Sequence, residues 1–229
     1  MNWLAIETSG NTSSVALQTG DGIESRLLGG GNAPASGEVI ASIAGLLADT
    51  GMSLDQLDGI AVSVGPGAFT GVRVACSVAQ GLAVARGVAV APVVSLDAVA
   101  HAEAADTVLA LLDARMGEVY WARYRRDAAG LLQREAIGVC APDALTVPDG
   151  VSWSVCGAGF AEYRDQFAPD LLARLDEGDI CALPDAAKLL RWCAAHRPEA
   201  VAPEALAPCY VRDKVALTTA ERVAKAMKA

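Results

Sequence analysis

Over the first thirty positions, apolar residues come in short runs separated by turn residues. Trp3 to Ile6, Ser14 to Gln18 and Ile23 to Leu28 form three such runs, with Gly10-Asn11 and Gly20-Asp21-Gly22 between them. This spacing predicts an antiparallel three-stranded meander. From Gly37 to Thr50 the period changes: Val39, Ile40, Ile43, Ala44, Leu46 and Leu47 follow helical spacing, and Gly51 is placed to stop the helix. A buried strand (Ile60 to Val64), a Gly-rich turn, a helix of small residues (about Val72 to Arg86) and a further apolar strand (Val88 to Val94) follow. Strand–helix–strand order implies parallel pairing with a crossover helix.

The order βββαβαβ is that of a ribonuclease-H-like core, and the next segment begins it again. Leu109-Ala110-Leu111-Leu112-Asp113 echoes Leu4-Ala5-Ile6-Glu7, each an apolar run ending in a carboxylate before a tight turn. Runs at Glu118 to Arg125 and Leu131 to Val139 complete a second meander. Beyond it Pro142, Pro148, Pro169 and Pro184 interrupt the pattern, leaving a short strand at Ser152 to Cys156 and helical spacing at Asp185 to Ala195. Periodicity fits two readings equally: an internal duplication, or one α/β domain with a β-rich appendage. On the first, the lobes divide as residues 1–100 and 101–229, with the C-terminal segment able to return to the first lobe.

Composition narrows the function classes. The 229 residues are 53% hydrophobic, enough for one large core or two modest ones. The net charge of −9 is the wrong sign for holding a phosphate backbone unaided, so a nucleic-acid role must be indirect or local. The six cysteines lie far apart with no C-x-x-C spacing, which points to a reducing compartment. The start has no basic n-region, and no stretch reaches about 18 unbroken apolar residues, so a soluble cytoplasmic protein is expected.

Two constellations could carry chemistry. In Glu7-Thr8-Ser9-Gly10 a strand-end carboxylate precedes hydroxyls and a turn, a geometry able to hold a metal-bound phosphate; a plain polar hairpin turn is the favoured reading of those four residues alone. Val64-Gly65-Pro66-Gly67-Ala68-Phe69-Thr70-Gly71-Val72-Arg73 is more specific, because its glycines let backbone N–H groups face an anion at a helix N-terminus. It lacks a P-loop lysine and a dinucleotide spacing, and its plainer role is a tight corner with Thr70 as N-cap. The two histidines, His101 and His196, lie far apart in sequence and have no metal-ligand spacing, so a zinc or iron hydrolase is not expected. No G-x-S-x-G elbow occurs. The helix from Val72 is apolar or small nearly all round, and so needs cover on more than its sheet side.

These segments resemble the TsaB (YeaZ) family, partners of the threonylcarbamoyltransferase TsaD in making the threonylcarbamoyl modification beside the tRNA anticodon. Leu4 to Ser9 looks like the family's first strand, and Val64 to Arg73 is similar to its Gly-Pro-Gly-x-Phe-Thr-Gly signature. Leu112 to Tyr120 looks like the opening of its second lobe, and Pro208-Cys209-Tyr210-Val211-Arg212 is similar to its closing Pro-x-Tyr-x-Arg element. Two departures stand out: Glu7 where members carry Asp, and Ser36-Gly37-Glu38 where they carry His-Ser-Glu. A role for that histidine therefore has no counterpart here.

The resemblance implies an actin-like fold, no peptidase activity, and a heterodimer with TsaD through the first two helices, within a larger complex that includes the ATPase TsaE. It puts tRNA contact in the complex, and ATP or ADP at the complex interface with no tightly bound cofactor or metal. The free protein is expected to pair with a second copy. Interface candidates are Val39, Ile40, Ile43 and Leu47 on the first helix and Val74, Val78 and Leu82 on the second. Glu7, Thr8, Ser9, Gly65, Gly67, Thr70 and Gly71 are candidates for a vestigial nucleotide site. The rival expectation is an ATP-dependent kinase or acyltransferase that uses Glu7, Thr8 and the 65–71 loop around Mg-nucleotide.

Overall fold

The computed structural model describes residues 1–20, 22–29 and 36–212, so Asp21 of the first expected turn lies outside the described residues. The first meander forms as the pattern requires: β1 (Asn2–Glu7), β2 (Ser13–Thr19) and β3 (Gly22–Leu28). α1 (Ser36–Thr50) and β4 (Gly59–Ser63) follow, then α2 (Phe69–Arg86) and β5 (Val90–Val93). α1 ends where expected, with Gly51 at φ +65° and Met52 N–H donating back to the Leu47 carbonyl at 2.9 Å.

α3 (Ser95–Ala100) leads into the second lobe, which contains β6 (Thr107–Asp113), β7 (Val119–Arg126), β8 (Leu132–Cys140) and β9 (Trp153–Cys156). Short helices α4 (Ala158–Tyr163) and α5 (Pro169–Leu172), strand β10 (Leu175–Glu177) and helix α6 (Ala186–His196) complete the elements.

The sheet orders decide between the two sequence readings. The first sheet runs β3-β2-β1-β4-β5 and the second β8-β7-β6-β9-β10. In each, the first three strands pair antiparallel and the last two join in parallel. The same five-strand topology occurs twice in one chain, so the fold is the duplicated, actin-like one and not a single domain with an appendage.

The duplication reaches side-chain detail. Glu7 Oε1 at the end of β1 accepts the N–H of Ser9, and Asp113 Oδ1 at the end of β6 accepts the N–H of Arg115 at 2.7 Å.

α1 and α2 cover one face of the first sheet through Val39, Ile43, Leu46, Leu47, Val72, Ala75, Val78 and Ala79. The other face, lined by Ala5, Ala16 and Ala61, is covered by Ala186, Ala187, Leu189 and Leu190 of α6. Small residues on the strands let that helix sit close. A cut at residue 100 therefore does not separate two self-contained cores, because α6 from the second half of the sequence packs on the first sheet. The chain then runs along β5 and α2: Val201 pairs with Val90, Gln80 donates to the carbonyls of Pro203 and Leu206, and Cys209 N–H donates to Val64 O at 2.7 Å.

Candidate functional site

The Gly-rich corner begins with a cis Gly65–Pro66 bond, and its backbone is pressed against the first hairpin. Ala68 N–H donates to the Ser9 carbonyl at 2.6 Å, and the Thr8 hydroxyl donates to the Gly71 carbonyl at 2.6 Å. A Cβ on Gly67 would lie 2.3 Å from Ser9 O, and one on Gly71 only 1.8 Å from Thr8 O. Here the glycines serve close approach. Left-handed backbone is needed at Gly65, at φ +88°, and not at Gly67. The structure thus brings Thr8 and Ser9 into direct contact with Gly67 and Gly71, with Glu7 bonded to Ser9 behind them and Gly65 at the head of the corner.

Thr70 is not the N-cap. The cap is Ala68, α2 starts at Phe69, and Thr70 is exposed in the first turn. The Ala68–Ser9 bond lies where the chain enters the helix, two residues earlier than a Thr70 cap would have set it.

Glu7 is fully buried, and its Oε2 has no hydrogen-bond partner. Burial pushes its carboxyl above the usual carboxylate range, against the opposing help of Ser9 and Ser63. Beside it the hydroxyls of Ser9, Ser63 and Ser95 contact one another at 2.8 to 3.3 Å. Sequence reading did not single out Ser63 or Ser95; a polar residue closing each of two apolar strands was the available signal.

Between the lobes lies a cleft of about 390 Å³, with Ser9 to Asn11 on one wall and Leu112 to Met116 on another. Arg115 spans it, donating to Asn11 Oδ1 while pairing with Asp113 at 3.0 Å. Arg115 and Met116 hold φ near +60°, which is uncommon for side-chain-bearing residues. At the mouth, Arg73 lies 3.7 Å over the Phe69 ring and donates from Nε to the Tyr210 hydroxyl at 3.1 Å.

The helix candidates divide by exposure. Val39, Ile43, Leu47 and Val78 are used inside the chain's own core and cannot be offered to a partner, because both helices turn those positions onto the sheet. Ile40 is exposed, and Val74 and Leu82 are partly so. Beside Ile40 and the exposed Val84 the pair presents small residues outward: Ala41, Ala44 and Ala48 on α1, and Ser77, Gly81 and Ala85 on α2. Their spacing of three and four residues keeps each run on one helix face.

The two histidines, far apart in sequence, meet because α6 returns to the first sheet beside α3. Their ring centroids are 5.5 Å apart. The His196 nitrogens face the carbonyls of Trp192 and Leu132, and burial, followed by the neighbouring His196, holds His101 below the usual histidine range. Among the described residues no group of three or more His, Cys, Asp or Glu is arranged to hold a metal ion.

A family model described as TsaD, tRNA N6-adenosine threonylcarbamoyltransferase, matches residues 36–217. The tRNA threonylcarbamoyladenosine biosynthesis protein TsaB of Escherichia coli K12 is 32% identical, over 94% of this chain and 96% of that one. The chain belongs to the TsaB family. The TsaB of Haemophilus influenzae is 33% identical over 77% of this chain and 79% of its own length. Among solved structures, YeaZ from Pseudomonas aeruginosa superposes with a TM-score of 0.79 at 33% identity, covering 91% of this chain and 99% of that one. A second P. aeruginosa structure, described as an uncharacterized protein with similarity to peptidase YEAZ, gives 0.80 at 32% identity, over 92% of this chain and 99% of that one. Within this TsaB-family chain no described helix is long and apolar enough to cross a membrane.

Proposed function

We propose that this chain is a non-catalytic, cytoplasmic subunit in tRNA threonylcarbamoyladenosine synthesis that binds and activates the threonylcarbamoyltransferase TsaD. One observation carries the reading: α1 and α2 turn Val39, Ile43, Leu47 and Val78 inward and present Ala41, Ala44, Ala48, Ser77, Gly81 and Ala85 outward, beside the exposed Ile40 and Val84. Small residues flanked by two exposed aliphatic side chains let further helices approach closely and give them something apolar to bury, which is the surface a helix-bundle interface needs.

The non-catalytic part is supported by the lack, among the described residues, of any group of three or more His, Cys, Asp or Glu arranged to hold a metal ion, and by a Gly-rich loop without a P-loop lysine. In this reading TsaE joins the same assembly, ATP or ADP is met at the boundary between subunits, and tRNA is reached through the complex. The free chain pairs with a second copy through the same face.

The test is co-elution with a TsaD, using substitutions that cannot disturb the subunit's own core. A Cβ at Gly81 meets nothing within 4 Å, and Ala44 is exposed. Gly81→Arg and Ala44→Arg should fold normally and weaken association by about 3 kcal/mol or more, roughly a hundredfold. Wild-type affinity in both folded variants would remove the helix pair from the interface.

A further inference from the structure

A second cavity, of about 460 Å³ and sharing no residue with the interlobe cleft, lies where β5, α3, β8 and α6 come together. That volume falls in the range of sites that hold small organic ligands.

Its polar groups converge on one arginine. Arg134 Nη1 donates to both oxygens of Asp97, at 2.6 and 2.7 Å, and the Tyr124 hydroxyl donates to the same carboxylate at 2.7 Å. The buried carboxylate thus holds one corner of the guanidinium and sets its plane. The remaining edge, Nε with Nη2, donates to no described residue, and 33% of the side chain is open to solvent. Two N–H groups on a fixed planar edge match the two oxygens of a carboxylate.

The other walls are flat and apolar. Trp192 and His196 lie ring on ring, with centroids 4.7 Å apart and planes 14° from parallel, and Pro92, Val94 and Leu132 line the cavity with them. A planar apolar wall beside a donor edge takes a ligand with a ring at one end and an acid at the other. A multiply charged anion fits less well, because Asp97 already offsets the charge of Arg134.

We propose that this cavity binds a small aromatic monocarboxylate, its carboxylate accepting from Arg134 Nε and Nη2 and its ring packed against Trp192. The site belongs to this chain alone and does not depend on the assignment to TsaD.

The tryptophan indole signals in a nitrogen–proton correlation spectrum of the full chain test it. The chain has four tryptophans, and Trp192→Phe identifies the signal of interest by its loss. Titration with benzoate should move that signal saturably, with half-saturation at about 1 mM or below, and leave those of Trp3, Trp121 and Trp153 in place. Benzamide, which keeps the ring and lacks the charge, should bind at least about tenfold more weakly. Arg134→Lys keeps a cation for Asp97 but removes the paired donors, and should weaken benzoate by at least about tenfold. Gln133→Glu, an exposed change on the lining, should weaken it by repulsion. Melting temperatures within about 3 °C of the parent establish that the variants fold, and if Arg134→Lys falls outside that range Gln133→Glu decides. The proposal is overturned by the lack of a saturable shift up to about 20 mM benzoate, by equal binding of benzamide, or by parental affinity in either folded variant. A shift shared by all four indoles would mark nonspecific association and overturn it equally.

Discussion

Gly71 and Thr8 lie so close that a single methyl group on Gly71 would come within 1.8 Å of the Thr8 carbonyl oxygen. The helix start and the first hairpin are thereby fitted to each other, and the Thr8 hydroxyl bonds across the same contact. Gly71→Ala should force the two apart and cost about 3 kcal/mol, the upper end of overpacking penalties. Gly81→Ala is the control, because open space surrounds that position and alanine favours a helix by about 1 kcal/mol. Thermal melts decide the matter. If Gly71→Ala melts as high as Gly81→Ala, the contact is slack.

Glu7 predicts an unusual response to pH. Its folded pKa is raised, so the folded chain binds its proton more tightly than the unfolded chain does. The associated stabilisation is fully present below the ordinary value of 4.5 and is lost as pH rises through the raised one. Glu7→Gln keeps an acceptor for Ser9 and removes the buried charge, so at pH 7 it should add about 1 kcal/mol, or 2–4 °C in Tm. That advantage should shrink as pH falls toward 4.5. A Gln variant less stable at pH 7 than at pH 4.5, relative to the parent, would contradict the account.

Substitutions on the two helices should separate folding from assembly. Val78 is buried, so Val78→Glu places an unpaired carboxylate in the core and should lower the Tm by more than about 5 °C before any partner is added. Ile40 is half-exposed, and Ile40→Asp should leave the Tm within about 2 °C while weakening association with TsaD. Circular dichroism melts and co-elution on the same samples read both effects. An Ile40→Asp chain that binds TsaD as the parent does would place the interface elsewhere.

The Asp97 carboxylate is buried and accepts from the Tyr124 hydroxyl at 2.7 Å and from Arg134 at 2.6 Å. Arg134→Met leaves that carboxylate facing one neutral donor and should cost about 3 kcal/mol, whereas Tyr124→Phe removes one bond and should cost about 1–2. Urea denaturation gives both values. Equal, small losses would mean that solvent, and not the protein, satisfies Asp97.

The purified chain should cleave no casein and turn over negligible ATP. The Gly-rich loop carries no P-loop lysine, and the described residues hold no cluster of metal ligands. Metal-dependent proteolysis that co-purifies with the chain through several steps would refute this.

Much of the fold was legible because strands and long helices carry their own period. β1 through β4, α1 and α6 lie within a residue or two of their expected limits, and the echo of Glu7 in Asp113 foretold the second sheet. α3, α4, α5 and β10 are six residues or shorter, and a period cannot be read from so few positions. The layer covered by α6 was hidden for another reason: its apolar stripe says that it packs, and nothing local says on which sheet. The meeting of His101 with His196 follows from that return and was hidden with it. At the Gly-rich corner the glycines announced a tight fit, but whether they face an anion or a neighbouring backbone depends on contacts across sixty residues.

The ties between the lobes bear on how such a subunit could act. Asp97 on α3 is fastened to Tyr124 on β7 and Arg134 on β8, and Asn11 is fastened to Arg115 across the cleft. A jaw clamped on both sides does not chew: swinging the halves apart means unburying a charge. Opening the cleft would strip Asp97 of its Tyr124 and Arg134 donors, so the relative placement of the two lobes is written into three side chains far from the cleft's own lining.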